Sequence, residues 1–196
     1  EAARNPRGLV AGAYAALGFG RMGKVAESKR LLSALTPVVA RMEPTMYVHH
    51  AAIAFGACAV WEIGAVEFAT TYRQMALDLV NAGFGDSILT HELTLARTAT
   101  LLGQMTEAGE LFALARQRCD ERGLRPIRAF VDYDEAVALI RSGSADHNHV
   151  LALLQEALEA FISLGMKGGV QRAQSLQEEL TASCRSSVAT ARPHPD

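Results

Sequence analysis

The sequence predicts an all-α fold in which about four helical hairpins and one capping helix follow each other along the chain. Three observations support this prediction. Apolar residues recur at helical spacing, and no alternating strand pattern follows Pro44. Glycines at the predicted helix ends are almost evenly spaced. Alanines follow two of these glycines at the same two distances. One helical hairpin cannot bury its apolar face alone, so we expect the hairpins to pack on one another.

The first two hairpins are predicted from small apolar residues and helix-ending signals. Leu9 to Leu17 carries no β-branched run, which favours a close-packed helix over a strand. A second helix begins at Val25, where Pro37 predicts a kink or an early end. Met46 to Glu62 is apolar almost all round and therefore must lie between neighbours. Its partner is Val66 to Leu79.

The third hairpin is predicted to pair Ser87–Leu102 with Met105–Glu121. In the fourth, Pro126 suits the first turn of a helix, and a polar connection over Ser144–Asn148 precedes the partner helix. A single amphipathic helix from about Val170 to Leu180 is typical of an end cap. We therefore expect one repeat domain over residues 1–182 and a disordered tail over residues 183–196.

The glycine spacing supports a repeat. The glycines predicted to follow the first helix of each hairpin are separated by 44, 39 and 40 residues, namely Gly20, Gly64, Gly103 and Gly143. Glycines after the second helices are separated by 40 and 42 residues, namely Gly83, Gly123 and Gly165. Alanine follows both Gly64 and Gly103 after five and after twelve residues. The fourth hairpin departs from this pattern at Val150 and Leu154.

Gly103, Ala108, Phe112 and Ala115 together resemble the tetratricopeptide repeat, whose period is roughly 34 residues. With the longer period seen here, the segments Arg125–Gly143 and Leu151–Ala173 resemble the C-terminal helical-repeat region of large bacterial signal-transduction ATPases. Maltose-activator and LuxR-type regulators and cyclase-linked ATPases belong to that group. The resemblance implies a right-handed α-α superhelix without enzymatic activity of its own. It also implies that the region senses an inducer or a protein partner and regulates transcription or signalling.

Charge and cysteine content narrow the possible functions. Lys and Arg total 19 and Asp and Glu total 21, so no global positive charge favours direct nucleic-acid binding. Three cysteines, Cys58, Cys119 and Cys184, suit reduced thiols in the cytoplasm. No apolar run reaches the roughly 18 residues of a membrane span, and no signal peptide is visible. The chain begins at Glu1 without methionine, so we expect the C-terminal part of a longer protein.

An alternative hypothesis is a fragment of an NADP-dependent reductase. Gly18, Gly20 and Gly23 form a GxGxxG motif, and Glu43 follows at about the distance of a ribose-binding acid. That fingerprint requires a preceding strand and a βαβ unit, whereas Leu9–Leu17 is a weak strand. We also align Gly20 with Gly103 of the repeat, which favours a hairpin turn at this position.

Metal and catalytic sites are not expected. His49 and His50 are adjacent and point in different directions on a helix, and His147 and His149 flank a polar connection. Asp132, Asp134 and Glu135 are interpreted as charges on a helix surface, and Arg128 is predicted to form a solvent-exposed pair with Asp132. We expect no cofactor.

The expected binding surface is the concave groove lined by the first helix of each hairpin. Arg97, Trp61 and Tyr133 are the candidate lining residues, because Arg and amphipathic aromatic residues dominate recognition hot spots. We expect a protein partner or a small inducer in this groove, and self-association is possible. Arg97→Ala is expected to weaken binding without loss of the fold.

Overall fold

The computed structural model describes residues 6–43, 47–86, 89–144 and 146–190. Within these residues the secondary structure consists of helices, with no strand, which confirms the predicted all-α class. The helices are α1 (Pro6–Arg21), α2 (Val25–Val39), α3 (Tyr47–Ile63), α4 (Val66–Asn81), α5 (His91–Leu101), α6 (Met105–Arg122), α7 (Arg125–Arg141), α8 (His147–Ser163) and α9 (Lys167–Thr190).

The chain forms two compact units, where the sequence predicted one repeat domain over residues 1–182. The first unit comprises residues 1–121, with helices α1 to α6, and the second comprises residues 122–196, with helices α7 to α9. Each unit is described separately below.

A glycine in the left-handed conformation ends seven of these helices. The seven are Gly23, Gly64, Gly83, Gly103, Gly123, Gly143 and Gly165. At Gly103 the φ angle is 75°, and the amide of Gln104 donates to the carbonyl of Ala99 at 2.9 Å. This bond satisfies a carbonyl in the last turn of α5 and reverses the chain toward α6.

These turns correct the register of the predicted repeat. The glycine that ends α1 is Gly23, whereas Gly20 lies inside the helix. With Gly23 in place, the first-helix series is separated by 41, 39 and 40 residues and is more regular than predicted. A buried alanine lies seven residues before each glycine of this series, at Ala16, Ala57, Ala96 and Ala136. A turn glycine and a buried alanine therefore mark the first helix of every hairpin.

Within the first unit, equivalent helices of consecutive hairpins pack on each other. Helix α1 packs on α3 and α3 on α5, while α2 packs on α4. Ion pairs connect the second helices: Lys29 Nζ lies 2.7 Å from Glu67 Oε1, and Arg73 pairs with Glu107. The alanines predicted to face inward from α4 and α6 are buried, namely Ala69, Ala76, Ala108 and Ala115.

Helix α2 differs from prediction at Pro37, and a hydrogen bond at its end connects it to α3. The helix continues through Pro37 and ends at Val39. There His49 Nε2 lies 3.0 Å from the Val39 carbonyl oxygen, so the imidazole satisfies a carbonyl at the C-terminus of α2. This bond joins α2 to the first turn of α3.

In the second unit, Phe161 of α8 is fully buried, with the ring of Phe130 of α7 5.2 Å away. Gly169 of α9 lies so close to Phe161 that a Cβ atom would be 2.6 Å from its ring. Helix α8 begins at His147, inside the predicted polar connection, and the Asp146 carboxylate accepts from the His149 amide at 3.0 Å. Helix α8 begins further after its turn glycine than α4 and α6 do. Val150 and Leu154 therefore fall at buried positions of the repeat.

The last helix differs most from prediction. Helix α9 begins at Lys167 and runs to Thr190, instead of covering Val170–Leu180. Residues 183–190 are therefore helical where a disordered tail was predicted, and no glycine or proline lies between Leu180 and Thr190 to end the helix. The remainder of that predicted tail, residues 191–196, lies outside the described residues.

Candidate functional site

An apolar groove lies between α1 and α3 in the first unit. Its volume is about 390 Å³. One wall carries Val10, Ala11 and Tyr14 of α1, and the other carries Val48, Ala51 and Phe55 of α3; Arg7 and Tyr47 complete the lining. Tyr14 is 61% exposed and Tyr47 is 68% exposed, so both rings stand in solvent at the groove.

Helical periodicity explains why these side chains meet. Arg7, Val10 and Tyr14 are spaced by three and four residues and therefore share a face of α1. Val48, Ala51 and Phe55 have the same spacing on α3, 41 residues later. The separation equals that of Gly23 and Gly64, so the two walls come from equivalent positions of two consecutive repeats.

The closest aromatic contact in the groove joins Tyr14 and Phe55. Their ring centroids are 5.2 Å apart and their planes meet at 82°, an edge-to-face geometry that aromatic pairs prefer. Both residues precede the turn glycine of their hairpin by nine residues. The equivalent position in the third hairpin is Thr94, which is buried. The aromatic wall is therefore a property of the first two hairpins.

Few polar or charged side chains line the groove. Among the described residues that line it, Arg7 is the charged group, and no carboxylate is present. The Tyr14 and Tyr47 hydroxyls are the other side-chain groups able to hydrogen-bond. This arrangement is able to hold an apolar molecule and to hydrogen-bond one polar group through the tyrosine hydroxyls, as most small-molecule sites do.

Arg97, the first predicted lining residue, lies elsewhere. Its side chain is buried at 6% exposure, and Arg97 Nη1 lies 3.2 Å from Cys58 Sγ. Arg97 and Cys58 both precede their turn glycines by six residues, so they occupy the same repeat position on α5 and α3. Neither residue is among those that line the apolar groove.

Trp61 and Tyr133 are not grouped with Arg97 in one described site. Trp61 is buried in the first unit at 5% exposure. Tyr133 belongs to the second unit and lines a smaller cavity of about 310 Å³ between α7 and α9. There the Arg172 guanidinium lies 5.4 Å from the centroid of the Tyr133 ring, within cation–π distance.

The glycines of the GxGxxG motif have structural explanations. Gly18 and Gly20 lie within α1, and a Cβ atom at Gly20 would be 2.9 Å from Ile63 of α3. Gly23 forms the turn between α1 and α2. Glu43 is exposed after the end of α2. The described residues before Gly18 are helical from Pro6, so the strand that the dinucleotide fingerprint requires is not found among them.

The histidines and acids occupy distinct environments. No group of three or more His, Cys, Asp or Glu side chains able to hold a metal occurs among the described residues. The His50 ring packs against Phe84, with centroids 4.9 Å apart. Asp132 and Asp134 are buried at 3% exposure, which corrects their interpretation as surface charges. Arg128 pairs with Asp132 one turn away on α7, and the pair is largely shielded from solvent.

Tyr14, Tyr47 and Phe55 were missed as candidate residues. The signal that identifies two of them is the common distance of Tyr14 and Phe55 from the turn glycines. Alignment of the first hairpin on Gly20 in place of Gly23 hides this common distance.

Comparisons with protein-family models, curated proteins and solved structures found no match for this chain. Within the described residues, no helix combines the length and apolar character needed to cross a membrane. Two cysteine side chains are described, the half-buried Cys58 and the buried Cys119, and neither forms a disulfide.

Proposed function

We propose that this chain is a non-enzymatic helical-repeat domain that binds a protein partner or a small inducer on the face formed by its first helices. It acts as the regulatory part of a larger bacterial signalling or transcriptional regulator. Binding changes how neighbouring hairpins stack and so biases the state of the parent protein. The proposal includes a tetratricopeptide-like, right-handed α-α superhelix.

The repeat register supports the proposed architecture. Turn glycines and buried alanines recur at a period near 40 residues, and α1, α3 and α5 pack in succession within the first unit. Successive packing of equivalent helices is the arrangement by which solenoid proteins build an extended binding surface.

The observation that carries the proposed function is the apolar groove between α1 and α3. Large apolar side chains in a soluble domain are normally buried, and Tyr14 and Tyr47 instead stand exposed beside an open apolar surface. Exposed patches of this kind mark sites of interaction with ligands or proteins. Tyrosine is also among the residues that dominate recognition hot spots.

Photo-crosslinking in living bacteria tests this function. A benzophenone amino acid replaces Tyr14 in one variant of the parent protein and Leu114 in a matched control. Leu114 is an exposed apolar residue of α6 that does not line the groove. We expect an adduct of defined mass at position 14 and little at position 114. Equal yields at both positions, or no adduct at position 14, would contradict the proposal.

A further inference from the structure

We propose that His49 is a pH-sensitive latch, which holds the first turn of α3 against the end of α2 and releases it on acidification. The latch consists of one imidazole and one backbone carbonyl, and its neighbours in the chain line the apolar groove. The effect of the latch on a ligand rests on the proposed function, whereas the release itself requires no ligand.

The hydrogen bond of His49 determines which ring nitrogen carries the proton. Nε2 lies 3.0 Å from the Val39 carbonyl oxygen, and a carbonyl only accepts, so Nε2 donates. In the neutral ring Nδ1 then has a lone pair and no proton. His49 is 5% exposed, and its buried Nδ1 has no hydrogen-bond partner among the described residues. The site therefore fits the neutral imidazole.

Protonation of His49 places an N–H at this buried nitrogen. A donor without an acceptor and a charge without water both cost free energy in such surroundings. Burial accordingly lowers the pKa of His49, although the bond to Val39 opposes the shift. The proton therefore favours a state in which the ring has left its site for solvent.

The surrounding charges do not offset this cost. His50, the next residue on α3, acts on His49 by repulsion. His49 forms its hydrogen bond with the Val39 carbonyl and with no charged side chain of the described residues. Because consecutive helices alternate in direction, the corresponding ends of the elements packed on α3 carry Arg7 on α1, Arg41 and Glu43 at the end of α2, Asp78 on α4, and Asp86 and His91 at the start of α5.

Release of the ring is a local event, because the end of α2 keeps another partner. The Val39 carbonyl also accepts from the Met42 amide at 3.1 Å, so it stays paired when the imidazole leaves. The first turn of α3 carries Tyr47 and Val48, which line the apolar groove. Release therefore frees part of one wall of the groove, and the shape of this face becomes dependent on pH.

The free energy of release depends on pH in one direction. The latched ring has the lowered pKa, and the released ring has the ordinary value near 6.5. The latched state is therefore fully stable above this pH and loses stability as the pH falls toward the lowered pKa. Between pH 7.5 and pH 5.5 the released fraction rises by up to about ten-fold, because the released ring takes up a proton and the latched ring does not.

Amide hydrogen exchange of the full chain, resolved by NMR and corrected for intrinsic rates, tests the release. The reporters are the amides of Ala51, Ala52 and Ile53, whose helical bonds close the first turn of α3. Their protection should fall by up to about ten-fold between pH 7.5 and pH 5.5, relative to the Gly109 amide. Gly109 has the same place in α6, a helix without histidine. A loss in α3 no larger than in α6 would overturn the inference.

Two variants assign the effect to His49. His49→Gln keeps a donor for the Val39 carbonyl but does not titrate, so it should remove the difference between α3 and α6. His50→Gln, at the next position of α3, is the matched control and should retain most of it. The reverse result would overturn the inference. Nitrogen-15 NMR of the unmodified chain at pH 7.5 should show the His49 proton on Nε2, and a proton on Nδ1 would contradict the latch without any variant.

A fluorine probe tests whether the latch reaches the groove. Trifluoromethyl-phenylalanine replaces Tyr47 in one variant and the exposed Leu114 of α6 in a matched control. The fluorine signal at position 47 should change as the pH falls below about 6.5, and His49→Gln should abolish the change, while position 114 should not respond. A signal at position 47 that ignores pH, or a response that survives His49→Gln, would overturn the coupling. These measurements contain no ligand, so their failure is distinguishable from failure of the crosslinking test.

Discussion

Gly56 of α3 and Tyr72 of α4 lie in direct contact, and the glycine is what makes room for the ring. A Cβ atom at Gly56 would overlap the Tyr72 phenol. The ring is fully buried, and its hydroxyl lies 3.4 Å from Thr36 Oγ1 of α2. Burial raises the pKa of Tyr72 to about 12, despite the opposing effect of the Thr36 hydrogen bond. One side chain thus joins three helices of the first unit.

Gly56→Ala is expected to lower the free energy of unfolding by about 1–3 kcal/mol, because a buried ring has no space into which it can move. The control is Gly18→Ala. Gly18 also lies within a helix, but a Cβ atom there would have no neighbour within 4 Å. We expect Gly18→Ala to stabilise by about 0.5–1 kcal/mol through helix propensity. Chemical denaturation measures both changes, and a Gly56→Ala variant as stable as Gly18→Ala would refute the packing role of Gly56.

His49 is expected to make stability depend on pH below neutrality. Desolvation lowers the pKa of His49 below its ordinary value, opposed by the bond to Val39 and assisted by repulsion from His50. The unfolded chain therefore binds a proton near pH 6.5 before the folded chain does. The contribution of His49 is fully present above this pH and is lost as the pH falls toward the lowered pKa.

The measurement is urea unfolding between pH 5 and pH 7.5, at several intermediate values. His49→Gln retains a donor for the Val39 carbonyl but does not titrate, so the variant should lose part of the pH dependence. His149→Gln is the control, because His149 is exposed at the start of α8. If His49→Gln and the unmodified chain respond equally to pH, protonation of His49 does not limit stability.

Arg97 is expected to stabilise the fold, since its guanidinium is buried and hydrogen-bonded to Cys58. Arg97→Met keeps an apolar stem and removes the charge, leaving the Cys58 sulfur without this donor, which should cost about 1–3 kcal/mol. Arg30→Met, at an exposed position of α2, should change stability by less than about 0.5 kcal/mol. Thermal unfolding of the two variants decides the matter, and near-identical midpoints would place Arg97 outside the folding core.

The helical class and the repeat period could be predicted from the sequence, because similar local signals recur from one hairpin to the next. Apolar spacing indicates helices, and a glycine at a helix end indicates a turn whichever partner the helix meets. Gly20 shows the limit of this reasoning. The local sequence does not show that Gly20 is a glycine in close contact with Ile63, whereas Gly23 is the turn glycine.

The candidate binding surface was harder to predict from the sequence, because burial depends on which helices meet. Trp61 and Tyr14 both fall on apolar faces of first helices, yet the structure buries Trp61 and leaves Tyr14 exposed. Asp134 shows the converse case, since a charged residue on a helix is normally exposed and this one is buried. Packing between helices decides both outcomes, and the residue pattern within a single helix does not show which helices will meet.

The central claim is that the face formed by α1 and α3 binds the ligand. Its most direct test places the benzophenone amino acid at Tyr47, on the α3 side of the groove, and measures the adduct yield in cells with and without Ala11→Trp on the α1 side. We predict that filling the groove from α1 abolishes the adduct at position 47, while Ala113→Trp, at an exposed position of α6 outside the groove, leaves it unchanged. An adduct yield that Ala11→Trp does not alter would contradict the claim.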